Sequence, residues 1–266
     1  MNGLTPLHTL RVDSLGIEVY EDRAALSLAA ASAAARHMKN LAMQYDEVRV
    51  LFATGDSQKE TLRYLSSMSD LPWGKLVGFH VDEYLRFSDE APGSLPPGYS
   101  TRRYIRERLT SKVPLRRFFE ITPDREDPEK TCRGYAEILR VKPPQICLLG
   151  IGDNGHLAFN NPADADFQDP VDAKVVTLDL ECRQQQADLG SFPTAEDVPQ
   201  RAITLTIPCL LRVPTLILSV PGERKAHIVK RIISEAISPA VPATILRTHP
   251  NATIYLDRSS AGELGL

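Results

Sequence analysis

The chain has 266 residues, enough for one large α/β domain or two small ones. Its 31 basic and 34 acidic residues nearly balance at a net charge of -3, which argues against nucleic acid as a partner. No apolar run reaches the roughly 18 residues of a membrane-spanning helix, and the first residues lack the pattern of a secretion signal, so we expect no membrane association.

The predicted elements alternate between strand and helix. In chain order, strands are predicted over residues 10–20, 48–53, 76–81, 117–121, 146–149, 174–180, 213–220 and 253–256. Helices are predicted over residues 22–44, 100–109 and 128–139, and two more follow residues 54–58 and 221–225. Loops are expected at 88–98 and 189–201, and Pro208 leaves the state of residues 204–211 open. This alternation predicts a doubly wound, mostly parallel α/β sheet flanked by helices.

We expect residues 1–266 to form a single domain, because the sequence shows no internal repeat and no low-complexity linker. Four cysteines lie far apart and form no C-x-x-C pair. They are typical of reduced thiols in a cytosolic protein, so we expect a cytoplasmic location.

The most informative segment is residues 145–162, QICLLGIGDNGHLAFNNP. A buried strand ends there in two glycines, which allow a ligand to approach the backbone, and polar side chains follow. Open α/β sheets bind ligands at this position, and His156 could shuttle a proton near neutral pH. A plain glycine turn with a packed histidine fits the same pattern. The acidic residues nearby have no spacing specific for a metal site.

Polar groups also follow the strand at 48–53, in Thr54-Gly55-Asp56-Ser57-Gln58. Backbone N–H groups and the two hydroxyls could hold an anion at the start of the next helix. A simple N-cap by Asp56 or Ser57 is the alternative. Asp56 itself argues against a tightly bound phosphate, because it adds negative charge to the loop.

Two carboxylates, Asp82 and Glu83, follow the strand at 76–81. Burial in a cleft would raise the pKa of one of them toward neutral pH and suit it to take a proton from carbon. An acidic pair at a helix start would look the same. Lys225 lies in the first turn of a later helix, where an anionic ligand would relieve its conflict with the helix dipole; a solvated surface lysine is the alternative.

Four segments in one collinear order resemble the glucosamine-6-phosphate deaminase (isomerase) family, within the wider group that includes 6-phosphogluconolactonases. They are FATGDSQ at 52–58, FHVDEYL at 79–85, GIGDNGHLAFNNP at 150–162 and VPGERKA at 220–226. The lactonases are similar in the G-x-G-x-x-G-H part. The A-F-N and D-E-Y pieces favour the deaminase branch.

The resemblance implies that an aldose 2-amine phosphate, with glucosamine 6-phosphate as the first candidate, becomes a ketose phosphate plus ammonia. By position, Asp82 matches the base that moves a proton between C2 and C1, and His156 matches the histidine that assists ring opening. Lys225 matches a phosphate-binding lysine, and residues 54–58 match the phosphate loop. The resemblance also implies a Rossmann-like α/β fold, no metal or organic cofactor, and a homo-oligomer.

The catalytic residues expected on this basis are Asp82, Glu83, Asp153, Asn154, His156 and Asn161. The expected substrate- and phosphate-binding residues are Thr54, Gly55, Ser57, Gln58, Gly152, Arg183 and Lys225. Asn154 and Asn161 replace two family acids, so His156 should be a weaker base here. The family arginine that helps to hold phosphate is not in register in this sequence, because its place falls near Asp188. Arg183 or Arg224 could substitute for it.

Two other functions stay open. A catalytically weak sugar-phosphate binder or sensor would fit the two asparagines, and a 6-phosphogluconolactonase-like hydrolase would fit the shared glycine motif. The loop at 189–201 is predicted to act as a lid that excludes water during the reaction.

Overall fold

The computed structural model describes residues 5–85 and 100–266. Its strands are β1 (His8–Val12), β2 (Leu15–Tyr20), β3 (Val48–Phe52), β4 (Leu76–His80), β5 (Asp82–Tyr84), β6 (Arg117–Phe119), β7 (Ile146–Leu149), β8 (Ala173–Thr177), β9 (Arg201–Leu205), β10 (Thr215–Val220) and β11 (Ala252–Asp257). Its α-helices are α1 (Arg23–Gln44), α2 (Asp56–Ser66), α3 (Thr101–Ile105), α4 (Pro128–Val141), α5 (Leu180–Asp188), α6 (Ile207–Leu211) and α7 (Ala226–Ser234). A π-helical turn spans Arg106–Thr110, and 3-10 turns span Trp73–Lys75, Glu223–Lys225 and Pro242–Thr248.

The large sheet has eight strands in the order β1-β2-β11-β10-β7-β3-β4-β6. Only β1 runs antiparallel to its neighbour, so the predicted mostly parallel α/β sheet is confirmed. From β3 the chain adds β4 and β6 on one side, then returns to place β7 and β10 on the other. The strand order therefore reverses between β3 and β7, and their carboxyl ends open the crevice where such sheets bind ligands.

The inner strands β3, β4, β7 and β10 are buried along their whole length because helices cover both faces of the sheet. Side chains alternate between the two faces of the sheet. Val50 and Phe52 of β3 therefore pack in one core, and Leu51 packs in the other. The first core includes the alanine-rich face of α1, and the second includes residues of α4 and α7. Asp22 starts α1 by accepting a hydrogen bond from the Ala25 N–H at 2.8 Å. These packed layers hold the strand ends of the crevice rigidly.

A second sheet of three antiparallel strands, β5-β9-β8, was not predicted. The chain leaves β4 at His80 and pairs at once with β9, so that Asp82 lies opposite Thr204. A three-residue strand carries too little hydrophobic pattern to be recognised in a sequence.

Local differences from the sequence prediction have simple causes. The single strand predicted at 10–20 is the hairpin β1–β2, which turns at Asp13 with a φ of 52°. Residues 204–211 divide into the end of β9 and helix α6, and Pro208 lies in the first turn of α6, where its missing N–H breaks no helical bond. The loop predicted at 88–98 lies outside the described residues. No helix in the described ranges is long and apolar enough to cross a membrane.

Candidate active site

A cavity of about 270 Å³ lies at the carboxyl ends of β3, β7 and β10. Asp82, His156 and Lys225 all line it, although they are far apart in the sequence. We use the name acid–base end for the lining residues Asp82 and His156. The name anion end stands for the lining residues Arg23, 54–57 and 221–225.

Gly152 allows the His156 ring to pack against the backbone at the acid–base end. A Cβ atom at position 152 would lie 2.1 Å from the nearest ring atom of His156, far inside any real contact. The Gly152 N–H donates to the His156 carbonyl at 3.0 Å and closes the turn. Gly152 therefore places the histidine, and it also lines the cavity in which substrate binding is predicted for it.

Two asparagines determine which nitrogen of His156 carries the proton. The Asn154 side-chain oxygen accepts the backbone N–H of His156 at 3.1 Å, so this atom must be Oδ1. The same oxygen lies 2.9 Å from the ring Nδ1, which therefore carries the proton. Asn161 accepts from the Asn154 amide at 3.3 Å and holds it in place. Nε2 of His156 is left as the proton acceptor.

His156 is neutral at physiological pH in this environment. Burial lowers its pKa to about 4, and the positive charge of Lys225 contributes in the same direction. The sequence predicted a weak base because two acids are replaced by asparagines. In the structure, burial is the largest cause of the lowered pKa of His156. The asparagines matter because neither carries a negative charge, which would raise this pKa.

Asp82 is the carboxyl group of the acid–base end, and it is 7% exposed. Burial raises its pKa to about 7, and the nearby Glu83 adds to this shift. A carboxyl group with this pKa can both take and return a proton at neutral pH.

Glu83 lies outside the cavity, contrary to the sequence prediction. Successive side chains of a strand point to opposite faces, so Asp82 and Glu83 of β5 cannot both face the same site. Glu83 instead accepts the backbone N–H groups of Thr101 at 3.1 Å and Arg102 at 2.9 Å at the start of α3. It also accepts from the Arg102 side chain at 3.1 Å, and its role is to anchor this helix.

Thr54, Gly55 and Ser57 line the anion end as predicted, but Gln58 does not. Gly55 precedes α2 with a φ of 100° and offers no side chain to cap it. The N-terminus of α2 therefore faces the cavity without a capping side chain, which suits an anion. Gln58 is fully buried and donates to the Leu149 carbonyl at 2.7 Å, tying α2 to β7 behind the cavity.

Lys225 is held by Asp153, which the sequence had placed among the catalytic residues. The Lys225 Nζ donates to Asp153 Oδ1 at 2.6 Å, and Arg224 donates to Oδ2 at 2.7 Å. Burial opposes ionisation of Asp153, but these two cations outweigh it and hold the pKa of Asp153 below its usual value. The contacts of Asp153 thus favour a role at the anion end over one beside the histidine.

Among the described residues, the arginines that line the cavity are Arg23 and Arg224, and Arg183 lies outside it. Arg183 donates to the Ala195 carbonyl at 3.2 Å and supports the segment 189–200. Arg23, which pairs with Asp56 at 2.7 Å, was not found from the sequence. Its position does carry a signal: Arg23 is a cation in the first turn of α1, where a nearby anion relieves its conflict with the helix dipole.

Other cavity-lining residues were not found from the sequence, and they come from α5 and its end: Gln185, Gln186 and Leu189. Ala158 also lines the cavity and adopts a φ of 54°, an unusual value for a residue with a side chain. Within residues 5–85 and 100–266, no three histidine, cysteine or acidic side chains are grouped to hold a metal ion.

Comparison with known proteins assigns the family. The family model described as glucosamine-6-phosphate isomerases/6-phosphogluconolactonase matches residues 21–255. A glucosamine-6-phosphate deaminase of Exiguobacterium sp. is 34% identical over 70% of this chain and 69% of its own length. Another, from Lactobacillus helveticus, is 31% identical over 80% of this chain and 84% of its own.

A solved monomeric glucosamine-6-phosphate deaminase superposes with a TM-score of 0.81 at 27% identity, covering 93% of this chain and 99% of the other. The likeness in sequence and in structure extends over most of the polypeptide, including all four segments on which the resemblance was based. The chain belongs to the family of glucosamine-6-phosphate isomerases and 6-phosphogluconolactonases.

Proposed function

We propose that the protein is an enzyme that isomerises and deaminates an amino-sugar phosphate, converting glucosamine 6-phosphate and water into fructose 6-phosphate and ammonia. The observation that carries this proposal is the convergence of Asp82, His156 and Lys225 on one cavity. The curated relatives named glucosamine-6-phosphate deaminase support the same reaction.

Ring opening is the step assigned to His156. The proton of the C1 hydroxyl must leave as the C1–O5 bond breaks, and the ring oxygen must gain a proton. Nε2 of His156 has a free lone pair because Asn154 holds the proton on Nδ1. A neutral imidazole can accept the first proton and return it to the ring oxygen, so no net charge is created.

The proton transfer between carbons is assigned to Asp82. Its carboxylate takes the proton from C2 of the open aldehyde while O1 gains a proton from water, which gives an enol that carries the amine. The same carboxyl group returns the proton to C1, which leaves a protonated imine at C2. Water then adds to C2 and ammonia departs, which yields the ketose. A pKa of about 7 lets Asp82 perform both transfers.

The phosphate is assigned to the anion end. Lys225 supplies a charge that is 12% exposed, and the N-terminus of α2 supplies backbone N–H groups. This arrangement would fix C1 and C2 of the sugar between Asp82 and His156, so that proximity contributes to the rate.

An ammonia-release assay across hexosamine phosphates tests the proposal. We expect ammonia from glucosamine 6-phosphate, and a loss of it in Asp82→Asn. Absence of ammonia from every hexosamine phosphate would reject the proposed reaction.

A catalytically weak sugar-phosphate binder is the second candidate, because the asparagines at 154 and 161 leave His156 without a carboxylate partner. Tight binding of the sugar phosphate without turnover would support it. The third candidate, a lactonase, is tested by hydrolysis of a sugar lactone phosphate.

We further propose that the chain acts in the cytoplasm, folds as a single domain and forms a homo-oligomer. The solved relative is monomeric, so the oligomer needs its own test. Light scattering coupled to size-exclusion chromatography gives the mass directly. A mass near the 29.5 kDa of one chain would reject the oligomer.

A further inference from the structure

The cations of the anion end are already paired with carboxylates of the protein. Asp153 bonds Lys225 with one oxygen and Arg224 with the other. Asp56 bonds Arg23 at 2.7 Å. Asp188 lies 3.6 Å from Arg224 as a second partner. An incoming phosphate would therefore meet cations whose charge is largely neutralised.

The described residues that line the cavity carry no excess of positive charge. Three are cationic and four are acidic: Arg23, Arg224 and Lys225 against Asp56, Asp82, Asp153 and Glu223. A site that binds a phosphate dianion tightly is expected to carry net positive charge. The carboxylate in the most direct contact with the predicted phosphate-binding lysine is Asp153.

We propose that Asp153 is an internal competitor for the substrate's phosphate and sets the affinity of the anion end. In the free protein, its two oxygens occupy the donors of Lys225 and Arg224 that a phosphate would use. Phosphate binding exchanges one anion for another, so the phosphate contributes less to affinity than the number of cations suggests. This inference rests on the proposed function for the identity of the ligand.

The position of Asp153 allows this exchange. Its side chain is 25% exposed, so the carboxylate can turn toward solvent without leaving a buried charge. Its backbone N–H lies 3.4 Å from the Gln185 side-chain oxygen, a long contact that holds the loop in place while the side chain turns.

A different role for Asp153 makes the opposite prediction. If the carboxylate served to position Lys225 for phosphate, its removal would release the lysine side chain and weaken phosphate binding. The sign of the change in phosphate affinity therefore separates a competitor from a positioning residue.

The test is calorimetric titration of the full-length protein with inorganic phosphate, comparing the unmodified chain with Asp153→Asn. We expect Asp153→Asn to bind phosphate about tenfold more tightly, because one negative charge in contact with both cations is removed. Asp188→Asn is the matched control. It removes the same charge beside Arg224 but has no contact with Lys225, and we expect a change of less than about threefold.

Equal or weaker phosphate binding by Asp153→Asn would overturn the proposal, as would an equal gain in Asp188→Asn. Asp153→Ser provides a second replacement should the asparagine variant not fold. Adding Lys225→Met to Asp153→Asn should remove the gain. Because the titration requires no turnover, its failure is distinguishable from a failure of the ammonia assay.

Discussion

The two ends of the cavity hold their charges in different ways. At the acid–base end, Asp82 and His156 are buried, and among the described residues no charged side chain forms an ion pair with either. At the anion end, Arg23, Arg224 and Lys225 each contact a carboxylate. Both ends lie in one cavity, yet the charged groups of the first have no ion-pair partner in the described ranges and those of the second are held in ion pairs.

This difference has a chemical consequence. Burial without a partner favours the neutral form, which raises the pKa of Asp82 to about 7 and lowers that of His156 to about 4. Asp82 can then exchange a proton near neutral pH, and His156 stays neutral with Nε2 free to accept one. Ion pairing with Lys225 and Arg224 outweighs the burial of Asp153 and lowers its pKa, so this carboxylate stays ionised. Burial lowers the pKa of Lys225, and its contact with Asp153 opposes that shift. Substitutions at the two ends should therefore change different kinetic constants.

The largest effect is expected for Asp82→Asn, because the amide cannot take the C2 proton. We expect kcat for ammonia release to fall by about a thousandfold with little change in KM, consistent with loss of a general base. Steady-state kinetics measures this. A fall of less than tenfold would show that another group moves the proton. The melting temperature should not fall, since no ion pair of Asp82 is lost.

Lys225→Met tests the opposite end. We expect KM for glucosamine 6-phosphate to rise by about a hundredfold with a smaller change in kcat, because a charged contact to phosphate is lost. The same kinetic assay separates the two constants. If kcat fell and KM stayed constant, the division between the two ends would be wrong.

A smaller loss is expected for Gly152→Ala, whose new Cβ would displace the His156 ring. We expect kcat to fall by about tenfold to a hundredfold, since misplacing an acid–base group by about an ångström has this effect. Gly134→Ala is the matched control, because a Cβ there on the exposed face of α4 meets no atom within 4 Å. It should leave kcat unchanged and stabilise the fold by about 0.5–1 kcal/mol. Equal activity of both variants would contradict the placement of His156.

The smallest expected effect is the dependence of kcat/KM on pH, which is about tenfold per pH unit. Proton abstraction needs the Asp82 carboxylate, and the pKa of Asp82 is raised to about 7. As pH falls below about 7, kcat/KM should decrease about tenfold per pH unit as this carboxylate takes up a proton. His156 does not contribute to this limb, because its pKa is about 4. A flat profile from pH 5.5 to 8 would contradict the role of Asp82.

The large sheet and the positions of the strand ends were predictable because long apolar strands alternate with helices. Several residues that line the cavity could be predicted because they follow those strand ends, including Thr54, His156 and Lys225. The small antiparallel sheet was not predictable. The sequence therefore could not show that Asp82 faces the cavity and Glu83 does not. Strand alternation separates them, but only after β5 is known to be a strand.

Side-chain pairing was the other part that the sequence did not determine. Whether Asp153 contacts His156 or Lys225 depends on the turn at Gly152 and on the distance to the 221–225 segment, which are tertiary properties. For the same reason Gln58 was predicted in the site from its motif position, and Arg183 as a substitute for an arginine that is out of register. In the structure the side chains of both donate to backbone carbonyls instead.

The most direct test of a shared site is a crystal structure of Asp82→Asn with glucosamine 6-phosphate bound, since this variant should hold the substrate without consuming it. We predict the phosphate within hydrogen-bond distance of Lys225, and C2 of the sugar about 3–3.5 Å from the side chain of residue 82. The sugar's C1 oxygen or ring oxygen should face Nε2 of His156. A sugar phosphate bound with its phosphate away from Lys225, or with C2 out of reach of residue 82, would contradict the account.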